Sequence, residues 1–229
     1  MLVKKELNKD LVHVYFMPGM AAKPKIFEHI KLPKNKFKIH WLSWKVPQEN
    51  ESLEAYVQRM LQEIKHKNPV LVGVSFGGII VQEMSKHIAV KRLLIISSVK
   101  SHHELPQRMK LAKKSKLYKI FPTSLAKHVG KVSKLPVSDF IKKRVALYKE
   151  YMWFSNAYYL DWAIEKMLLW EQDEPQNDMI HIHGDADMVF PIKNIKNCII
   201  IKGGTHVMII NRYRWFNENL PNLIRDGKL

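Results

Sequence analysis

Val70-Leu-Val-Gly73-Val-Ser75-Phe-Gly77-Gly78-Ile79-Ile80 carries a short apolar run into a glycine-framed serine and out into a second apolar run. Val70 to Val74 reads as a buried strand, and Ile79 to Ile88 continues as a helix after the Gly-rich corner. The letters Gly-x-Ser-x-Gly gain their specificity from this placement between a strand and a helix. A serine there sits on a turn too tight for neighbouring side chains, so Gly73 and Gly77, with Gly78 behind them, leave room for a strained backbone. Its hydroxyl then stands exposed above the sheet edge. The first amides of the following helix point at the same spot, where they can stabilise negative charge developing on a substrate oxygen.

On both sides of this corner, strands and helices alternate. Leu11 to Met17 is an apolar run closed by Pro18-Gly19, with a short helix expected through Ile26 to Ile30. Phe37 to Trp44 reads as a second strand, and Glu51 to Lys65 carries Leu53, Tyr56, Val57, Met60, Leu61 and Ile64 at helical spacing. Val90 to Ser97, Met179 to His183 and Cys198 to Ile201 read as further strands, and Val207 to Arg225 as a closing helix. The expected fold class is α/β: a mostly parallel central sheet covered by helices on both faces, since each right-handed crossover lays its helix over the sheet. At 229 residues one domain is expected to span 1–229. The alternation breaks from about Lys100 to Gln176. That stretch reads as helices alone and is expected to be an inserted helical cap, with Ser138 placed to cap a helix carrying Phe140, Ile141, Val145, Tyr148 and Met152.

A serine hydroxyl is a poor nucleophile until a base takes its proton, so the corner requires a histidine at the carboxyl end of a later strand. His206 meets this requirement, following the Cys198–Ile201 run and the turn Gly203-Gly204-Thr205. An acid to orient that ring belongs just past the preceding strand, where His183-Gly-Asp185-Ala-Asp187 offers two carboxylates. Serine, acid and histidine, in that order and each at a strand end, imply attack by Ser75 on an acyl carbon. An acyl-enzyme follows, hydrolysed by water that the same histidine activates. This chemistry requires no metal and no cofactor. His181 and His183 on one strand, and His102-His103 at the start of the cap, do not make a ligand set and read as structural.

From about residue 11 to the C-terminus, in strand order as well as in these motifs, the chain resembles the α/β-hydrolase superfamily. The resemblance favours Asp187, the third residue after Gly184, as the acid and leaves Asp185 as a turn former. It also implies an oxyanion hole made by the backbone N–H groups of Met20, in the loop Pro18-Gly19-Met20, and of Phe76. Pro18 stands where family members often carry histidine, which puts the support of that loop in doubt more than the donors themselves. The activity implied is hydrolysis of a carboxylic ester of small-molecule size. Thioester hydrolysis, other acyl hydrolysis and acyl transfer are alternatives, because the fold does not decide among them. A ligand-binding sensor on the same scaffold is the alternative from another class.

Aromatic residues gather in the C-terminal part of the cap: Tyr151-Met-Trp153-Phe, Tyr158-Tyr-Leu-Asp-Trp162 and Met167-Leu-Leu-Trp170. Ordinary burial of an amphipathic helix accounts for them as well as an apolar wall over Ser75 does. On the second reading Trp153 and Trp162, with Met188 beside the acid and Met208 beside the base, line an apolar acyl pocket.

The net charge is +17, and Lys100 to Glu150 holds 14 Lys and Arg against three Asp and Glu. Such a run is usually a solvated face; the functional reading is attraction of anionic substrates or of an anionic membrane surface. No nucleic-acid-binding motif accompanies the charge, and no specific nucleic-acid partner is expected. The single cysteine, Cys198, makes no internal disulfide and reads as a buried strand position. With no apolar signal-like segment at Met1 to Asp10 and no run near the ~18 apolar residues of a membrane span, a cytoplasmic location is expected.

Overall fold

The computed structural model describes residues 11–116, 118, 150–151 and 156–229. Its strands are β1 (Val12–Met17), β2 (Phe37–Trp41), β3 (Val70–Val74), β4 (Arg92–Ile96), β5 (Ile180–Gly184) and β6 (Ile199–Ile201). They form one sheet in the order β2-β1-β3-β4-β5-β6, and every neighbouring pair is parallel. The α-helices are α1 (Leu53–Leu61), α2 (Phe76–Ser85), α3 (Gln107–Ser115), α4 (Ala157–Leu169), α5 (Met208–Asn211) and α6 (Tyr213–Asp226).

A parallel sheet covered on both faces has no polar side, and β3 is buried at each of its positions. Alternate residues of the other strands serve two cores. Tyr15, Met17, Leu71 and Ile95 pack with Tyr56, Val57 and Met60 of α1, Ile79 and Ile80 of α2, and Tyr159 and Trp162 of α4. Val14, Phe16, Val72, Leu94 and Ile182 pack instead with Phe27, Met208 and the α6 residues Phe216, Leu220 and Leu223.

Several element boundaries differ from the sequence-based expectation. Strand β2 ends at Trp41, and Leu42 and Trp44 turn into the core beyond it. The helix after β1 is one 3₁₀ turn, Pro24–Phe27, opened by the proline ring that its first position tolerates. Helix α1 starts at Leu53 because the Ser52 hydroxyl accepts the Ala55 N–H at 3.0 Å. The closing helix is two helices, bent at Arg212, whose guanidinium donates to the Gly203 carbonyl at 3.2 Å. Cys198 lies one residue before β6 and is half-buried rather than part of the buried strand, and desolvation pushes its thiol up.

Between β4 and β5 the described residues contribute α3, α4 and a short 3₁₀ turn at His102–Glu104, with no strand. The helix expected after Ser138, and Trp153, lie outside the described residues. Among the described residues no helix is long and apolar enough to cross a membrane.

Candidate active site

Parallel order brings the carboxyl ends of β1, β3, β5 and β6 to one edge, where ligands bind in open α/β sheets. Ser75 leaves β3 at φ 53°, ψ −124°, a backbone conformation that non-glycine residues rarely adopt. Its amide donates to the Ile96 carbonyl at 2.9 Å, and the Ser98 hydroxyl donates to its carbonyl at 2.7 Å, so neighbouring β4 holds the strained residue. The glycines have specific neighbours. A Cβ on Gly73 would stand 2.6 Å from the Gly78 Cα, and one on Gly77 would stand 2.6 Å from the Met17 carbonyl oxygen. The corner is thus closed by backbone on both sides, and no side chain fits.

His206 lies two residues beyond Gly204, on the turn after β6. Its Nε2 is 2.9 Å from Ser75 Oγ and its Nδ1 is 2.9 Å from Asp187 Oδ2. An ionised carboxylate only accepts, so Nδ1 carries the proton and Nε2 is left to accept from the serine hydroxyl. The ring meets the Phe190 ring edge-on at 5.5 Å between centroids.

Asp187 is buried, and its second oxygen, Oδ1, accepts the amides of Val189 at 2.7 Å and Phe190 at 3.0 Å. Burial pushes its carboxyl up. The hydrogen bond and charge of His206, the Phe190 amide and His183 outweigh that and hold it below the ordinary aspartate value. Asp185 is exposed and accepts the Gly203 amide at 2.6 Å, tying the β5 turn to the turn before His206.

Behind the acid lies a pair of buried histidines. His183 Nε2 is 2.8 Å from the Phe190 carbonyl, which only accepts, so this nitrogen bears the proton and also stands 3.5 Å from Asp187 Oδ2. His183 Nδ1 then accepts from His181 Nε2 at 3.1 Å. Burial pushes both rings down from the ordinary histidine value, so they remain neutral behind the acid.

The loop after β1 is held by residues that the linear pattern does not mark. Trp44 Nε1 donates to the Gly19 carbonyl at 2.7 Å, and the Ala21 amide donates to Tyr159 Oη at 3.0 Å. Trp44 also stacks on Phe76, with centroids 5.3 Å apart and planes at 7°. These contacts supply the loop support that Pro18 left in doubt. The Phe76 amide opens α2 and has no intrahelical acceptor, and the Met20 amide has no acceptor among the described residues.

The expected pocket residues do not share one environment. Met208 is fully buried among Ile209, Phe216 and Leu220, because α5 faces the sheet. Trp162 is buried against Tyr56 and Phe76, its Nε1 donating to the Glu51 carbonyl at 2.7 Å. Met188 is 82% exposed on the turn after the acid, where its carbonyl accepts from Arg108 of α3 at 2.6 Å. Met208 is thus core, and Trp162 packs on the ring of Phe76, the residue that follows Ser75. Of the residues expected to line an apolar pocket, Met208 and Trp162 are buried, Met188 is exposed, and Trp153 lies outside the described residues.

With this geometry the chain has the α/β-hydrolase fold. It superposes on an esterase from Exiguobacterium antarcticum with a TM-score of 0.61 at 16% identity, covering 94% of this chain and 92% of that one. A thermophilic esterase from Thermogutta terrifontis matches with a TM-score of 0.64 at 10% identity, over 95% and 91% of the two chains. A bromoperoxidase from Bacillus anthracis matches with a TM-score of 0.62 at 18% identity, over 94% and 92%. No protein-family model and no curated protein sequence matches the chain.

Proposed function

We propose that this protein hydrolyses carboxylic esters through an acyl-enzyme on Ser75, with His206 as base and then acid and Asp187 orienting the imidazole. The observation that carries the reading is the unbroken hydrogen-bonded line from Asp187 through His206 to Ser75, two contacts of 2.9 Å each. As Ser75 Oγ attacks the acyl carbon, its proton passes to His206 Nε2, and the imidazolium formed faces the Asp187 carboxylate. The amides of Met20 and Phe76 receive the developing oxyanion. The leaving alkoxide takes the proton from Nε2, and a water activated at the same nitrogen releases the acid. Esterases are among the structural neighbours, which is in keeping with ester hydrolysis. The stretch from about 100 to 176 is assigned as a helical cap inserted within one domain of residues 1–229.

The test is release of p-nitrophenol from acetate, butyrate and octanoate esters by wild type and Ser75→Ala, with mass spectrometry of the protein after a phosphonate ester probe. Turnover and a single phosphonylated serine in wild type, both lost in Ser75→Ala, are expected. Turnover unchanged in Ser75→Ala overturns the proposal.

A further inference from the structure

Three histidines absent from the triad meet on the α1 face of the sheet. His13 of β1 points toward His40 of β2, with His13 Nδ1 2.9 Å from His40 Nε2. His66, in the connection between α1 and β3, stacks on His13 with centroids 3.4 Å apart. One ligand-capable nitrogen from each ring lies within 4.8 Å of the other two, and all three rings are half-buried. Linear sequence hides this cluster, because the three positions lie on separate elements.

We infer that His13, His40 and His66 bind one divalent transition-metal ion of the zinc class, clamping the β1–β2 edge of the sheet to the α1–β3 connection. Two imidazole nitrogens facing each other at 2.9 Å must share a proton to be satisfied. A tetrahedral zinc ion with ligands at ~2.0–2.1 Å separates its nitrogens by about 3.3 Å, so the ion replaces that proton with a small opening of the pair. The third nitrogen has to approach by about 1.5 Å at most to reach the same separation.

The His13 and His66 planes are only 10° apart, and no ion lies in both planes at once, so binding includes a turn of the His66 ring. His66 has the room for this: it is half-exposed and belongs to a connection, not to a strand.

Tyr15 supplies the second feature of a built site. Its hydroxyl accepts the Lys65 amide at 3.1 Å and lies 2.6 Å from His66 Nδ1. With one lone pair still free, it can accept Nδ1–H and leave His66 Nε2 for the ion, as outer partners of ligating histidines do. Its ring also stacks on His40 at 4.4 Å between centroids. An all-imidazole set without carboxylates selects zinc, nickel or copper and discriminates against magnesium and calcium. Lys38 lies on the same side of β2 and is exposed, so water screens its charge from the ion.

The experiment is isothermal titration of the 229-residue chain with zinc chloride at pH 7.5, paired with thermal unfolding in zinc and in EDTA. One ion per chain and a midpoint raised by zinc are expected. His66→Gln and His40→Gln each weaken binding by more than about 100-fold, Tyr15→Phe weakens it by about 10–100-fold, and the His102→Ala/His103→Ala double variant leaves it unchanged. The double variant removes both histidines of the His102, His103 and Asp173 group, the other cluster of possible ligands among the described residues. If His40→Gln fails to fold, His66→Gln still decides the question. Absence of zinc binding in wild type overturns the inference. So does binding that survives His66→Gln or is lost with His102 and His103. Ester hydrolysis is a separate readout and bears only on the Ser75 site.

Discussion

Gly184 and Gly204 meet backbone to backbone: a Cβ on Gly184 would overlap the Gly204 carbonyl oxygen and stand 2.8 Å from the Gly204 Cα. The Gly204 carbonyl also accepts the Ala186 amide at 3.0 Å. Asp187 lies three residues past Gly184 and His206 two residues past Gly204, so this contact sets the distance between acid and base. Gly184→Ala should force the two turns apart and lower kcat/KM for p-nitrophenyl esters by about 100-fold, the usual effect of a misplacement near 1 Å. An unchanged kcat/KM would mean that the turns adjust independently.

The two aspartates of the β5 turn separate cleanly by substitution. Asp187→Asn places an amide group against His206 Nδ1 and favours the tautomer that cannot accept the serine proton, so kcat should fall by about 10⁴-fold. Asp185→Asn keeps an oxygen for the Gly203 amide and should change kcat by less than about threefold, with the midpoint near that of wild type. Steady-state kinetics on the purified pair decides between them.

Trp162 is a test of core against pocket. Removing a buried tryptophan leaves a cavity beside Tyr56 and Phe76, so Trp162→Ala should cost about 3 kcal/mol or more and lower the thermal midpoint by roughly 6–12 °C. Trp162→Phe keeps most of the ring and loses the bond to the Glu51 carbonyl, a cost of about 1 kcal/mol.

Met188 should behave in the opposite way. Its side chain is exposed, so Met188→Ala is expected to alter stability by no more than about 0.5 kcal/mol. A rise in KM for octanoate relative to acetate esters would identify it as a contact for longer acyl chains. Equal KM values for the two would remove it from the binding surface.

Stability should fall on mild acidification. His181 and His183 bind protons less readily folded than unfolded, because burial disfavours the imidazolium. Between their folded values and the ordinary value near 6.5, the unfolded chain therefore binds more protons, and stability rises with pH. It is fully present above about pH 6.5 and lost as pH falls toward the folded values, at up to about 1.4 kcal/mol per pH unit for each group. Urea unfolding at pH 7.5, 6.5 and 5.5 measures the slope, which His181→Phe should reduce. An identical slope in that variant would assign the acid sensitivity to other groups.

Much of the frame was legible in the linear chain. The central strands β3, β4 and β5 appear as apolar runs, because strands buried on both faces have little polar side to disguise them. Positions 75, 187 and 206 follow such runs, so their arrival at one edge comes from strand direction alone. Boundaries were less legible. Trp44 reads as the last residue of a strand because its apolar character suits a strand and a core equally. At the bend, Arg212 reaches the Gly203 carbonyl, nine positions away in sequence. Met208 and Trp162 illustrate the same limit: a large apolar side chain near a catalytic position serves a pocket wall or a core, and its letter does not distinguish them.

By itself the sequence determined the order and type of most of the described elements and the place of the glycine-framed corner at Ser75. Both are written in local periodicity and in the steric demand for glycine beside Ser75. Tertiary structure decided which side chains stand behind that corner. Trp44 and Tyr159 brace the loop after β1, His183 stands behind Asp187, and His13, His40 and His66 converge near β1 and β2. Such groups come from separate elements, and only the packing of helices on a twisted sheet brings them within reach of one another.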